Sequence, residues 1–417
     1  MAIQFEIADF VFDSAAPSKR ATLLCLLLLA GIITGGSSAQ AQTFTTLHAF
    51  SGPEGSQPMA GLTMDRAGNL YGTASLGGYT GGHCYNGCGT VFELSHKNSG
   101  WVLTLLHTFM LSDGATPIAR VVFGPDGSLY GTTSGGGPYL QGVVFRLQPP
   151  ATFCHAVQCP WTETIVYGFR GGADGGGPGY GDLTFDSAGN IYGTTSGGGA
   201  FGQGTVFELT PVNHGWTKTI LYSFQGNADG SGPESGVIFD GHGNLYGTTV
   251  SGGAPGVGTV YELTPSGSGW NESVLHSFSQ FGDDGSQPYG GLTFDPSGNL
   301  YGATFMGGDR GSGTVYELTP TQNGWNFNVL YSFNSYEGAI GAMTVGPDGK
   351  LYGTQLDGDV DVFQLAQSGG DWSLTGFFGL SESFPFGNVI FDPSGNLYFT
   401  TAGSGGVASG SVVEITP

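Results

Sequence analysis

Residues 180–224 read YGDLTFDSAGNIYGTTSGGGAFGQGTVFELTPVNHGWTKTILYSF, and this stretch decides the fold. Four short β-rich runs, a to d, can be cut from it. Strand a, Leu183–Asp186, leads through a tight Asp-x-x-Gly-Asn turn into strand b, Asn190–Thr195. Gly and Asn tolerate the positive φ that a hairpin turn needs. After a glycine-rich connection comes strand c, Gly204–Leu209, whose ladder is expected to stop at Thr210-Pro211 because proline has no N–H to donate. Strand d alternates Ile220, Tyr222 and Phe224. Four antiparallel strands in one such unit make a propeller blade.

The unit recurs along the chain. Its central tyrosine falls at Tyr71, Tyr130, Tyr192, Tyr246, Tyr301, Tyr352 and Tyr398, with successive copies 46 to 62 residues apart. Repeats of this length mean a solenoid, an array or a propeller. The strand count chooses among them. The last copy, 386–417, ends after strand c, whereas residues 43–50 form a d strand with no copy before it. Seven a, b and c strands find seven d strands only if 43–50 joins the last blade, which also removes an exposed sheet edge. The expectation is an all-β, seven-bladed β-propeller with four antiparallel strands per blade, circularly closed by that N-terminal strand.

Composition agrees with this reading. Glycine numbers 79 of 417 residues. In regular structure each would cost about 0.5–1 kcal/mol relative to alanine, so the glycines belong to many turns. Ten Lys and Arg face 32 Asp and Glu, for a net charge of −22. Such a surface repels phosphate backbones and anionic membranes, which excludes nucleic acid as a partner and leaves cations and neutral or basic ligands open. At the N-terminus, Lys19 and Arg20 precede an apolar run from Ala21 to Ile33, and Ala39-Gln40-Ala41 forms a small-residue cleavage pattern. Residues 1–41 therefore read as a secretory signal, with a start placed too far upstream accounting for the acidic stretch before about residue 18. The mature chain, 42–417, is expected to be exported to the periplasm, the cell surface or the medium. It is expected to be a monomer without membrane insertion.

The repeated GNLYGTT, SGGG, GTVFELTP, GW and LYSF elements resemble the tandem repeat of the choice-of-anchor GloVer-containing proteins of bacteria, over residues 43–417. The resemblance implies an exported bacterial repeat propeller and no established enzymatic activity.

Most chemically suggestive residues are absorbed by the repeat. Trp101, Trp161, Trp216, Trp270, Trp325 and Trp372 each open a d strand and are expected to pack between blades. His48, His107 and His276 occupy a d-strand position that other blades fill with Tyr167, Tyr222, Tyr331 or Phe378, which also points to packing. Cys84 and Cys88, and Cys154 and Cys159, form two local pairs on loops of opposite faces. In an exported chain they are expected to be two short disulfides rather than one zinc site. Glu93, Glu208, Glu262, Glu317 and Glu414 share a c-strand position, and Asp65, Asp186, Asp240, Asp295 and Asp392 close strand a. A feature repeated in nearly every blade does not define a unique active site.

Asymmetry lies in the b–c loops, which share a face with the d–a loops around the central channel. Tyr79, Tyr85, Tyr139 and Phe201 stand at or near the loop tips of blades 1 to 3, and blade 5 carries Asp309-Arg310. Aromatic faces beside charges would suit a saccharide or a peptide. Blade 6 carries Asp357, Asp359 and Asp361, a weak calcium candidate that lacks the length and final Glu of an EF-hand loop. No other cofactor is expected. The leading expectation is a non-catalytic binding or surface-interaction propeller with its ligand on this face. The alternatives are a polysaccharide hydrolase or lyase using Asp357 and Asp359, and a structural envelope repeat protein.

Overall fold

The structure is a computed structural model. It describes residues 42–416 except 98–99, 151–160, 268, 280–281, 335–337, 340, 357–361, 378–382 and 404–408. The segment read as an export signal, 1–41, and the pair Cys154 and Cys159 lie outside the described residues. Thr43–Thr416 forms one compact unit.

Seven antiparallel sheets follow one another along the chain; six have their strands in the order a-b-c-d, and the seventh adds to that order a short strand, Ser383–Phe384, that also pairs with its b strand. Blade 3 shows the plan: a is Thr184–Phe185, b is Ile191–Thr195, c is Thr205–Val212 and d is Gly215–Ser223. Blades 1, 2, 4, 5 and 6 span residues 63–108, 122–168, 238–277, 293–332 and 344–377. Blade 7 takes a, b and c from Ile390–Phe391, Leu397–Gly403 and Ser411–Thr416, and its d strand is Thr43–Ala49. That strand pairs Thr43 with Thr416 and Ala49 with Ser411, as the strand count requires. The architecture is the seven-bladed propeller read from the repeat.

Two local expectations need correction. Strand c does not stop at the proline. In blade 3 it runs on through Pro211, which pairs with Trp216, and turns at Asn213-His214. Strand b ends opposite Leu209, so Pro211 has a neighbour on one side only, and the missing N–H leaves no bond unmade. Nor does strand d simply alternate. A bulge at Leu221 shifts the register between Val206 and Phe207, leaving Ile220 facing outward while Leu221 and Tyr222 both pack against the core.

Blades cohere through side chains set by the repeat. Four d-strand tryptophans meet the central tyrosine of the preceding blade, among them Trp161, 6.2 Å from Tyr71, Trp216, 6.4 Å from Tyr130, and Trp325, 5.7 Å from Tyr246, while Trp270 and Trp372 pack against the clusters that hold Tyr192 and Tyr301. Trp101 meets Tyr398 at 6.2 Å across the junction of blades 7 and 1. The b-strand threonines reach carbonyls of the next blade, from Thr194 to Ser235 O at 2.8 Å and from Thr400 to Ala60 O at 2.6 Å, the second bond closing the ring.

The repeated acids form a network on the a–b turn side. In blade 4 the Tyr246 hydroxyl lies 3.2 Å from Asp240 and 2.7 Å from Glu262, while Asp240 accepts from the Asn244 backbone and side chain. Blades 1, 3, 5 and 7 repeat it. In blades 2 and 6 the aspartate moves two residues along, to Asp126 and Asp348. There a glutamate at the c-strand position would face the shifted carboxylate, and Arg146 or Gln364 stands instead, with Arg146 at 2.5 Å from Asp126. These acids are structural.

Candidate functional site

On the opposite face, the d–a and b–c loops of a blade are laced together. Bridges join Ser56 to Leu76, Ala115 to Gly135, Gly176 to Gly197, Ser231 to Ser251, Ser286 to Met306 and Ala339 to Gln355. Five of the described d–a acids hold side chains of their own d strand. Asp229 accepts from Tyr222 at 2.9 Å and from the Gln225 N–H at 2.8 Å, and Asp174 accepts from Tyr167 at 2.7 Å. Asp113 and Asp284 meet His107 and His276 at 3.2 and 2.9 Å, and Glu54 lies 3.5 Å from His48. The histidines expected only to pack thus also tether an acid. His and Tyr interchange at this position because both place a polar ring tip at the loop.

The residue four beyond each central tyrosine roots the b–c loop, and here the blades diverge. Ser75, Ser134 and Ser196 of blades 1 to 3 donate to d–a carbonyls at 2.9, 3.0 and 2.7 Å. Blades 4, 5 and 6 carry Val250, Phe305 and Leu356 instead. A second divergent position precedes strand a by a few residues: Met59, Ile118, Tyr180, Tyr289 and Phe386 there border the channel, while Glu234, at the same position in blade 4, is in the lining of neither cavity and lies behind Tyr180, against Gly179.

Together these positions make a mouth. Tyr180, Tyr289, Phe305, Leu356 and Phe386 line a cavity of about 260 Å³. Tyr289 and Phe305 meet edge to face, with ring centroids 5.8 Å apart. The tyrosines and Phe386 also border the central channel, a cavity of about 570 Å³ walled by the a strands. Deeper in, Asp182 holds Arg120 by three contacts: the backbone N–H at 3.0 Å, Nε at 2.9 Å and a guanidinium nitrogen at 2.8 Å. That pair crosses from blade 2 to blade 3 and leaves little net charge in the channel wall.

Glu234 stands between the two tyrosines in ring order. Blade 3 has one residue more than its neighbours between Pro178 and Leu183, so Gly179 lies beside Tyr180. A Cβ on Gly179 would collide with Glu234 Oε2, so glycine makes the room that this carboxylate fills. Burial pushes the Glu234 carboxyl above its ordinary value, and no hydrogen bond or ion pair engages it among the described residues. Burial first, and then the Glu234 charge and Tyr289, push the Tyr180 hydroxyl up as well.

The candidate residues of the loop tips stand outside these two cavities. Tyr79, Tyr85, Tyr139 and Phe201 are 45, 82, 50 and 56 % exposed, Asp309 and Arg310 are exposed, and none lines the mouth or the channel. Tyr139 has Arg170 over its ring at 5.5 Å. Asp357, Asp359 and Asp361 lie outside the described residues. Cys84 and Cys88 form a disulfide within the b–c loop of blade 1. Among the described residues no group of three or more His, Cys, Asp or Glu is placed to hold a metal ion.

The Gloeobacter/Verrucomicrobia repeat matches the chain over residues 30–160, 153–361 and 273–417. The chain belongs to this family. No curated protein matches the sequence. Among solved structures, this Gloeobacter/Verrucomicrobia repeat protein is similar to a chain of the mitotic checkpoint complex, with a TM-score of 0.56 and 10 % identity over 99 % of both chains. It is also similar to PorZ, a surface component of the type-IX secretion system of Porphyromonas gingivalis, with a TM-score of 0.53 and 16 % identity over 88 % of this chain and 47 % of that one. A fungal alcohol oxidase of the AA5 family, in complex with copper, gives 0.51 and 16 % over 91 % and 77 %. At these identities the likeness is one of fold alone. No helix among the described residues is long and apolar enough to cross a membrane.

Proposed function

We propose that this repeat protein is an exported, non-catalytic binding propeller whose ligand seats at the channel mouth, on the face shared by the d–a and b–c loops. The observation that carries the reading is the aromatic-lined cavity of Tyr180, Tyr289, Phe305, Leu356 and Phe386, made only where the repeat departs from its own pattern. Apolar concavity with a few convergent polar groups is the usual form of a small-ligand site. Export is supported by the N-terminal sequence pattern and by the Cys84–Cys88 disulfide, a bond that persists in oxidising compartments. Saccharides and peptides remain the ligand classes to screen. The hydrolase or lyase alternative rests on Asp357 and Asp359, which lie outside the described residues, so no geometry supports it.

The test is a thermal-shift screen of the purified protein against oligosaccharides, peptides and small organic ions. A ligand that binds only the folded state raises the melting temperature. The Tyr180→Ala/Tyr289→Ala double variant is expected to abolish that rise. A full rise in the variant would remove the mouth as the site.

A further inference from the structure

The mouth is poor in the groups a sugar needs. Among the described residues, the side chains of its lining offer two tyrosine hydroxyls and otherwise only carbon, with no amide and no tryptophan. What it does offer is a set of π faces: Tyr180, Tyr289, Phe305 and Phe386 stand around one small cavity. The negative face of an aromatic ring attracts a cation, most strongly where water is displaced. Beside them lies a carboxylate. Glu234 sits against Gly179, next to Tyr180, and has no partner among the described residues. Among the described residues, Arg120 is held by Asp182, and Asp113, Asp174, Asp229 and Asp284 each hold a side chain of their own d strand.

Size and field point the same way. At about 260 Å³ the mouth falls below the usual range for a drug-sized ligand and suits a single head group. The chain's net charge of −22 raises the local concentration of cations and lowers that of anions.

We infer that the channel mouth binds an organic ammonium group, quaternary or protonated, with the rings of Tyr180, Tyr289 and Phe386 against its methyl or methylene groups and Glu234 supplying the countercharge. The inference rests on the mouth being the binding site, as proposed above, and names what that site selects. Glu234 is the specificity residue, and the aromatic rings are the contact surface.

Choline and its neutral isostere 3,3-dimethylbutan-1-ol have the same shape and differ in charge, which makes them the probes. Their binding to the purified protein is measured by titration calorimetry and by saturation-transfer NMR. Choline is expected to bind at least tenfold more tightly than the isostere. Glu234→Gln should lose about tenfold for choline and nothing for the isostere, and Tyr180→Ala/Tyr289→Ala should lose both. Tyr289→Phe, which keeps the ring, should retain choline binding and guards against a variant that merely misfolds. Equal affinity for the two probes, both lost in the double alanine variant, would overturn the ammonium inference while leaving the mouth as a binding site. Binding of choline that survives the double variant would overturn both. Failure of both probes to bind would overturn the ammonium inference alone, and the ligand screen then decides the mouth.

Discussion

The two faces of this propeller are built from the same repeat and treat it differently. On the a–b turn face, five blades carry the same Asp–Tyr–Glu arrangement, and the other two carry a compensated version of it. On the loop face, the first three blades close their b–c roots with a serine, while the next three leave an apolar side chain there. Repetition on one side makes every junction equivalent, so it stabilises without marking a place. Divergence on the other side removes local hydrogen bonds and leaves a cavity at one place around the axis.

The largest effect is expected at a tie that only one blade makes. Lys218 of blade 3 reaches back to Asp174 of blade 2 at 3.2 Å, its ammonium 5.0 Å from the Phe169 ring, with only 4 % of the side chain exposed. Burial lowers its proton affinity and Asp174 opposes that. Removing one partner of a largely buried pair costs about 3–5 kcal/mol, so Lys218→Ala should lower the midpoint of chemical denaturation sharply. A loss no larger than that of a surface lysine variant would show that the loop face adds little to cohesion.

The turn face should give smaller, equal losses. Tyr246→Phe leaves Asp240 and Glu262 without a shared donor, at a cost of about 1.5–3 kcal/mol for a bond to a charged group. Tyr301→Phe and Tyr398→Phe should match it within error by urea denaturation. Unequal costs would break the claim that this face is uniform.

Acidity separates the faces again. Where blade 3 has Lys218, blades 2 and 4 have Glu163 and Glu272, each pushed up to about 7. Burial is the main cause for both, with Asp113 adding to it at Glu163 against the opposing His107, and Asp229 adding to it at Glu272. A carboxyl raised in the folded state keeps its proton while the unfolded chain loses it, so stability falls as pH rises from about 4.5 through 7. On the turn face the sign reverses. Burial raises Asp186 and Asp240, but the donors around each outweigh it and hold both carboxyls below their ordinary value, so their contribution is lost as the solution is made more acidic than the usual carboxylate range. Melting temperature should therefore peak at mildly acidic pH, and Glu163→Gln/Glu272→Gln should flatten the fall towards neutrality. An unchanged slope in that variant would exclude these two acids as its source.

The smallest effect concerns the residue before the d–a proline. Gly177 and Gly232 adopt φ of 60 and 63° there, and Thr116 is held at 57°. A β-branched residue is disfavoured in this region, so Thr116→Gly should stabilise by about 0.5 kcal/mol once glycine's greater freedom in the unfolded chain is offset. A destabilised variant would mean that the threonine side chain holds the loop.

Much of the fold was legible because it rests on local rules applied seven times. The Asp-x-x-Gly-Asn turn, the tryptophan that opens strand d and the orphan strand 43–50 each state their place in the unit. The bulge at Leu221 was not legible, since two consecutive inward residues look like a lapse in alternation until the partner strand is present. The cavity was not legible for a related reason. Aromatics are conspicuous at the loop tips, at Tyr139 and Phe201, whereas the cavity is walled from the loop roots. A usable signal did exist: aligning the copies on their central tyrosine puts Phe305 and Leu356 in one column with Ser75, Ser134 and Ser196.

By itself the sequence determined the number of blades and their closure, because period and strand count act through nearest neighbours and totals. Only the tertiary structure decided that Tyr180, Tyr289 and Phe386 share one cavity, with Glu234 near Tyr180. They come from blades 3, 5, 7 and 4, and no rule of spacing along a chain reports which residues meet across the axis of a closed ring.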